Sequence, residues 1–226
     1  MITSRDNPKL KLVRRLESGS QRRRLGLFVA EGEDLVAAGR EAGIEPVELL
    51  VAGQSVEPAL LAEVSTLPHA PRELAVFRAD DLPAFEPRRV GLALWHVSDP
   101  GNVGTLIRSA DAFGASVALS RGCGEPTGPK ALRASAGAVF RVPIGRFDDA
   151  PGRRLALVAH GGRPLGDVEL ADGDIFVLGA EREGLPEEVL AACAEQVTLA
   201  TPGPAESLNV AAAGAIALWE WHRRRG

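Results

Sequence analysis

Apolar positions in the first third of the chain recur at short, alternating spacings. Leu10, Val13 and Leu16 form one stripe of a short amphipathic helix. Residues 27–29 predict a strand, 33–42 a helix, 46–51 a strand, 57–65 a helix and 74–77 a further short strand. That alternation predicts a small α/β sandwich. Residues 79–89 carry two prolines and many charges, the composition of a linker. Beyond it the pattern changes. Residues 90–96, 116–120, 155–160, 175–179 and 197–200 are short runs without polar alternation, typical of parallel strands buried on both faces. Helical patterns lie at 102–113, 129–137, 186–195 and 207–225. The expected organisation is an N-terminal domain over 1–80, a linker over 81–89, and an α/β domain with a mostly parallel sheet over 90–226.

Composition narrows the class without naming a function. The 226 residues are 45% hydrophobic and 25% charged, with Gly 25 and Pro 16, as in globular proteins. No stretch of eighteen apolar residues predicts a membrane span. The first residues lack a secretory pattern, and Cys123 and Cys193 stand alone without a disulfide framework, so a reducing cytoplasm is expected. Four scattered histidines give no metal-ligand spacing, and no metal is expected. Net charge is −4, but residues 1–24 alone carry +6. Arg5, Lys9, Lys11, Arg22, Arg23 and Arg24 belong to that segment, which reads either as a solvated face or as a phosphate-contacting arm.

Three stretches carry candidate chemistry. The first, from Asp99 to Arg108, follows a buried strand and opens a helix. Asn102 suits its N-cap, and Val103, Leu106, Ile107 and Ala110 form its apolar stripe, leaving Arg108 off the stripe. A capped helix with a local Arg108–Asp111 ion pair is one reading. An anion or nucleic-acid site at the carboxyl end of a parallel strand is the other. The glycines do not form the dinucleotide fingerprint, which argues against a nicotinamide oxidoreductase. The second stretch runs from Leu178 and Gly179 through a charged turn to Gly184 and Pro186; Gly179 permits close backbone approach and Gly184 a left-handed turn. The third runs from Leu199 and Ala200 through Pro202-Gly203-Pro204 to Ser207-Leu208-Asn209 and into a helix rich in Ala and Gly, with Ser207 as its expected N-cap. That helix is apolar or small on nearly every side, so it is covered either by its own chain or by a second subunit.

Taken together and in order, these stretches resemble the SpoU (TrmH-like) family of RNA ribose 2′-O-methyltransferases, of the SPOUT class. The residues from Pro129 and Lys130 to Arg133 and Gly137 resemble the family's connecting segment, and residues 2–36, with Asn7-Pro8, Lys11 and Phe28…Glu31-Gly32, its N-terminal RNA-binding domain. The opening of the third stretch, Leu199-Ala200-Thr201-Pro202-Gly203, departs from the family's usual Ile-Pro-Met-x-Gly.

The resemblance implies a catalytic domain with a deep trefoil knot and a ribosomal-protein-like N-terminal domain. It implies S-adenosylmethionine as cofactor, held by Leu178, Gly179, Gly184, Leu199, Ala200 and Leu208. It places Arg108 beside the ribose hydroxyl as base or oxyanion stabiliser, and gives Asn102, Glu181, Ser207 and Asn209 catalytic or site-shaping roles. RNA contact falls to Arg5, Lys9, Lys11, Arg22, Arg23, Arg24, Lys130 and Arg133. The implied partners are RNA, ribosomal RNA (the 23S species) ahead of transfer RNA, and a second copy bound through the catalytic domain and C-terminal helix. A non-catalytic RNA-binding or ribosome-assembly protein on the same fold is the alternative.

Overall fold

The computed structural model describes residues 1–200, 203 and 207–225. Two sheets organise the chain. The first is three-stranded and antiparallel, in the order β1 (Leu27–Glu31), β3 (Glu73–Arg78), β2 (Glu48–Val51). Helices α1 (Pro8–Leu16), α2 (Gly19–Leu25), α3 (Glu33–Glu41) and α4 (Pro58–Val64) accompany it. The α1 stripe of Leu10, Val13 and Leu16 is buried with Leu50, Leu61 and Leu74, as its spacing requires. The second helix, α2, was not distinguished by sequence pattern; Gly26 ends it in the left-handed conformation, φ 63°.

The second sheet has seven strands, and every pairing in it is parallel. Its order is β6 (Ile144–Arg146), β5 (Ser116–Leu119), β4 (Val90–Leu94), β9 (Asp174–Leu178), β7 (Arg153–Leu157), β10 (Glu195–Thr198), β8 (Arg163–Pro164). Strands β4 and β9 are buried along their whole length, which is why they read as unbroken apolar runs. Helices α5 (Pro100–Ala112), α6 (Pro129–Ser135), α7 (Glu187–Ala191) and α8 (Val210–Arg225) complete it. From β4 the chain builds outward to β5 and β6 on one side and returns to β9 and its neighbours on the other. The strand order therefore reverses between β4 and β9, and in open α/β sheets the crevice at that point takes the ligand.

Several boundaries differ from the sequence reading. Helix α5 starts at Pro100, and its N-cap is Asp99, whose carboxylate accepts from the backbone N–H of Gly101 (2.6 Å) and Asn102 (3.3 Å). Asn102 lies inside the first turn instead. Asp111 pairs with Arg141 at 2.6 Å, not with Arg108. Helix α7 is five residues long because β10 claims Glu195 onward. Residues 79–89 are not a loose tether. Leu82 packs against the cluster that contains Phe28 and Phe77, and Phe85 lies where a Cβ on Gly145 would stand, 2.4 Å from the ring. One aromatic cluster ties the first sheet to the turn that precedes β6: Phe140 stands 5.9 Å from Phe28 and 5.0 Å from Phe77.

The two sheets are also bolted together by charge. Arg22 is 8% exposed and donates four hydrogen bonds, to both carboxylate oxygens of Glu125 (3.2 and 2.6 Å) and to the carbonyls of Leu16 (2.8 Å) and Glu17 (2.7 Å). Four of the five guanidinium donors of Arg22 are thus engaged within the protein, which leaves it less to offer a phosphate than its neighbours. Truncating it strands a half-buried carboxylate and two carbonyls. Arg22→Ala is expected to lower stability by about 2–4 kcal/mol, read as a drop in the urea midpoint. An unchanged midpoint would show that the pair contributes nothing.

Candidate active site

The three candidate stretches meet at the carboxyl edge of the large sheet. Helix α8 lies close on α5 because Gly214 has no side chain; a Cβ there would stand 2.3 Å from the Leu106 methyl. That approach brings the start of α8 beside the first turn of α5. Asn209 caps α8, its Oδ1 accepting from the N–H of Ala211 (2.9 Å) and Ala212 (3.2 Å). The expected cap, Ser207, is exposed and stands two residues earlier. The Asn209 amide donates to Asn102 Oδ1 at 3.2 Å, and Asn102 Nδ2 donates to Glu181 Oε1 at 3.0 Å. One side chain from each stretch therefore joins a single hydrogen-bonded line, which also fixes which way the Asn102 amide points.

The loop carrying Glu181 is folded back on itself. Ala180 and Gly184 exchange backbone hydrogen bonds of 3.1 and 3.0 Å. Gly184 takes φ 67°, where a side chain is strained, and a Cβ on Gly179 would stand 2.3 Å from the Gly184 carbonyl carbon. This small loop separates two cavities. One, of about 440 Å³, is lined by Leu178, Gly179, Gly184, Leu199, Ser207 and Leu208, among others. The other, about 820 Å³ and more open, is lined by Trp95, His96, Asp99, Asn102, Glu181 and Arg182, among others.

Of the residues assigned to the cofactor, five line the smaller cavity and Ala200 does not; it is exposed outside it. Part of the segment between Ala200 and Ser207 lies outside the described residues, including Thr201 and Pro202, where the sequence departs from the family pattern. The sequence reading missed Leu157, Val158 and Ala159, which form the facing wall from the end of β7. Their signal was positional: a parallel strand's carboxyl end borders the crevice whatever side chains it carries. The cavity suits S-adenosylmethionine. Its volume lies in the ligand-site range, its leucines and valines offer an apolar bed, and the strand-end backbone offers hydrogen-bonding groups.

Arg108 is exposed on α5 and makes no ion pair among the described residues. It lines neither cavity. It stands six residues beyond Asn102, about 9 Å along the helix axis and about 120° round it, leaning over the turn of Gly104 and Thr105. Asp99, next to Asn102 in the site, is bound by Lys130 at 2.8 Å. That contact first, and the Gly101 N–H second, hold its carboxyl below the usual carboxylate range.

The basic set is less free than its charge suggests. Arg5 pairs with Glu63, Lys9 with Glu48 (2.6 Å), Lys11 with Asp6 (2.9 Å) and Lys130 with Asp99. Arg23 stands 3.7 Å from Glu125, Arg24 donates to Gln21 (2.7 Å) and Arg133 to Thr66 (3.1 Å). A charge counted along the chain is therefore partly cancelled by carboxylates from elsewhere in space. Except for Arg22 these side chains are exposed, and exposed pairs are weak enough to exchange for a phosphate.

Comparison with known proteins bears on the same residues. The family model described as the SpoU rRNA Methylase family matches residues 89–219. An uncharacterized tRNA/rRNA methyltransferase of Mycobacterium tuberculosis strain H37Rv is 32% identical over 88% of this chain and 68% of its own. A solved structure of an AdoMet-bound rRNA methyltransferase from Sinorhizobium meliloti superposes with a TM-score of 0.87 at 26% identity, covering 100% of this chain and 98% of that one. A solved RNA 2′-O ribose methyltransferase superposes with a TM-score of 0.82 at 26% identity, covering 99% and 98%.

Proposed function

The chain belongs to the SpoU rRNA methylase family, as an RNA methyltransferase that uses S-adenosylmethionine, and we propose that it methylates a ribose 2′-hydroxyl, in ribosomal RNA ahead of transfer RNA. The observation that carries this reading is the line from Asn209 through Asn102 to Glu181, set between the smaller cavity and the larger cleft. A methyl donor in the first and a ribose in the second would meet across it. Likeness to the 2′-O ribose methyltransferase supports the acceptor, and whole-length likeness to the rRNA methyltransferase, antiparallel sheet included, supports the substrate.

S-adenosylmethionine supplies a methyl group on a sulfonium, an electrophile that needs no further activation. The protein's task is to align the hydroxyl oxygen with it and to stabilise the oxygen as its proton passes to solvent water in the cleft. Asn102, with its amide oriented from both ends, positions the ribose or Arg108. A guanidinium is a poor proton acceptor, so Arg108 serves as a positive charge beside the developing oxyanion or the neighbouring phosphate, not as the base. Glu181 orients Asn102 and closes the donor cavity, Ser207 and Leu208 wall it, and Leu178, Gly179, Gly184 and Leu199 form its floor.

The trefoil knot and a homodimer belong to the same reading. Residues 207–210 follow β10, two strands away from β9, yet line one cavity with the loop that follows β9, which supports the threading. The buried stripe of α8 (Ala211, Gly214, Ala217, Leu218, Trp221) is covered by its own chain, so the small residues alone do not require a partner. The dimer rests instead on the opposite face, where Ile216 and Trp219 are 42% and 52% exposed.

Incubation with tritiated S-adenosylmethionine and total RNA, followed by alkaline hydrolysis, tests the reaction. A 2′-O-methyl blocks attack of that oxygen on the adjacent phosphate, so the label is expected in alkali-stable dinucleotides of the ribosomal RNA fraction. Label recovered in mononucleotides would place the methyl on a base and overturn the ribose assignment.

A further inference from the structure

Two aromatic side chains in the open cleft have no part in the chemistry described above. Trp95 and His96 follow β4 directly, and their rings stack face to face, centroids 4.9 Å apart and planes 15° from parallel. Both line the cleft that also holds Asn102 and Glu181. The pair is held from behind. Trp95 meets Phe147 edge-on at 5.1 Å, and its backbone N–H donates to the Leu178 carbonyl at 2.8 Å, extending the β4–β9 ladder by one rung. The His96 backbone N–H donates to Ser120 Oγ at 2.9 Å.

His96 is one of two non-glycine residues with positive φ among the described residues, at 53°. A glycine would adopt that conformation at less cost. The imidazole is exposed, with the Trp95 ring as its aromatic partner. Gly122, itself at φ 92°, passes beside the ring; a Cβ there would make ordinary contact with it at 3.4 Å, so it is the backbone angle that calls for glycine. Strained backbone held rigidly at the rim of a ligand cleft indicates a functional side chain.

We propose that Trp95 and His96 form a stacking platform for a nucleobase of the RNA, at the methylated nucleotide or its neighbour, holding the base so that the ribose faces Asn102. The chemistry fits: every base has a π face, and single-stranded RNA is read by stacking on aromatic side chains. The platform presupposes that RNA occupies this cleft, and so rests on the function proposed above.

The test compares a fluorescein-labelled adenosine decamer with a decamer of the same length made abasic, by anisotropy at fixed salt with saturating S-adenosylhomocysteine. Wild type is expected to bind the adenosine strand about tenfold tighter or more. His96→Asn, which tolerates the left-handed backbone but removes the ring, and Trp95→Leu are each expected to shrink that ratio at least fivefold. Trp95→Phe is expected to preserve most of it. S-adenosylmethionine affinity and thermal midpoint should hold in His96→Asn, which separates lost stacking from lost folding. A ratio unchanged in His96→Asn overturns the platform. Methyl transfer to total RNA by wild type is the separate control: its absence, with the base-dependent ratio intact, sinks the enzymatic reading and leaves the platform standing.

Discussion

Arg108→Ala is expected to lower turnover with RNA by about a hundredfold to a thousandfold while leaving S-adenosylmethionine affinity within twofold of wild type. The first number is the usual loss when one fixed positive donor to a developing oxyanion is removed. The second follows from position: Arg108 lines neither cavity, so nothing that holds the donor is lost with it. Arg108→Lys separates two roles. It keeps the charge but loses the planar fork, so it should recover turnover only in part if the guanidinium grips a phosphate through two nitrogens. Single-turnover transfer and calorimetry with S-adenosylmethionine give both quantities. Wild-type turnover in Arg108→Ala would remove the residue from the mechanism, and a large loss of donor affinity would place it in a different role.

How much of this was legible in the sequence depended on whether the signal was local. The parallel strands could be read because burial on both faces leaves unbroken apolar runs, as in β4 and β9. The stripe of α5 could be read because 3.6 residues per turn is written into Val103, Leu106, Ile107 and Ala110. Its cap was misplaced although Pro100 marked the start, since proline favours the first helical position and points to Asp99 as the cap. Strand order is not local, so the wall supplied by β7 was invisible until β7 was seen to lie beside β9. Charge is not local either. Arg22 counted as a charge free for phosphate until Glu125, 103 residues on, was found holding it. The convergence of Asn102, Glu181 and Asn209 came from resemblance and not from periodicity; their contacts span 79 and 107 residues.

The donor cavity itself is most sensitive at Gly179. A Cβ there would stand 2.3 Å from the carbonyl carbon of Gly184, 2.4 Å from its oxygen and 2.6 Å from the Leu185 nitrogen. These are backbone atoms, and no rotamer change can clear them. The only relief is to open the loop, which breaks the paired hydrogen bonds between Ala180 and Gly184 and draws Glu181 away from Asn102. Gly179→Val is therefore expected to weaken S-adenosylmethionine binding about a hundredfold, ~2.7 kcal/mol, at a stability cost of about 1–3 kcal/mol. Gly166, with nothing within 4 Å of its Cβ position, supplies the control: Gly166→Val should leave both unchanged. Isothermal calorimetry below the variants' unfolding range measures the difference. If Gly179→Val binds the donor as wild type does, the cavity beside β9 is not its seat, and the line from Asn209 to Glu181 loses its reason for standing there.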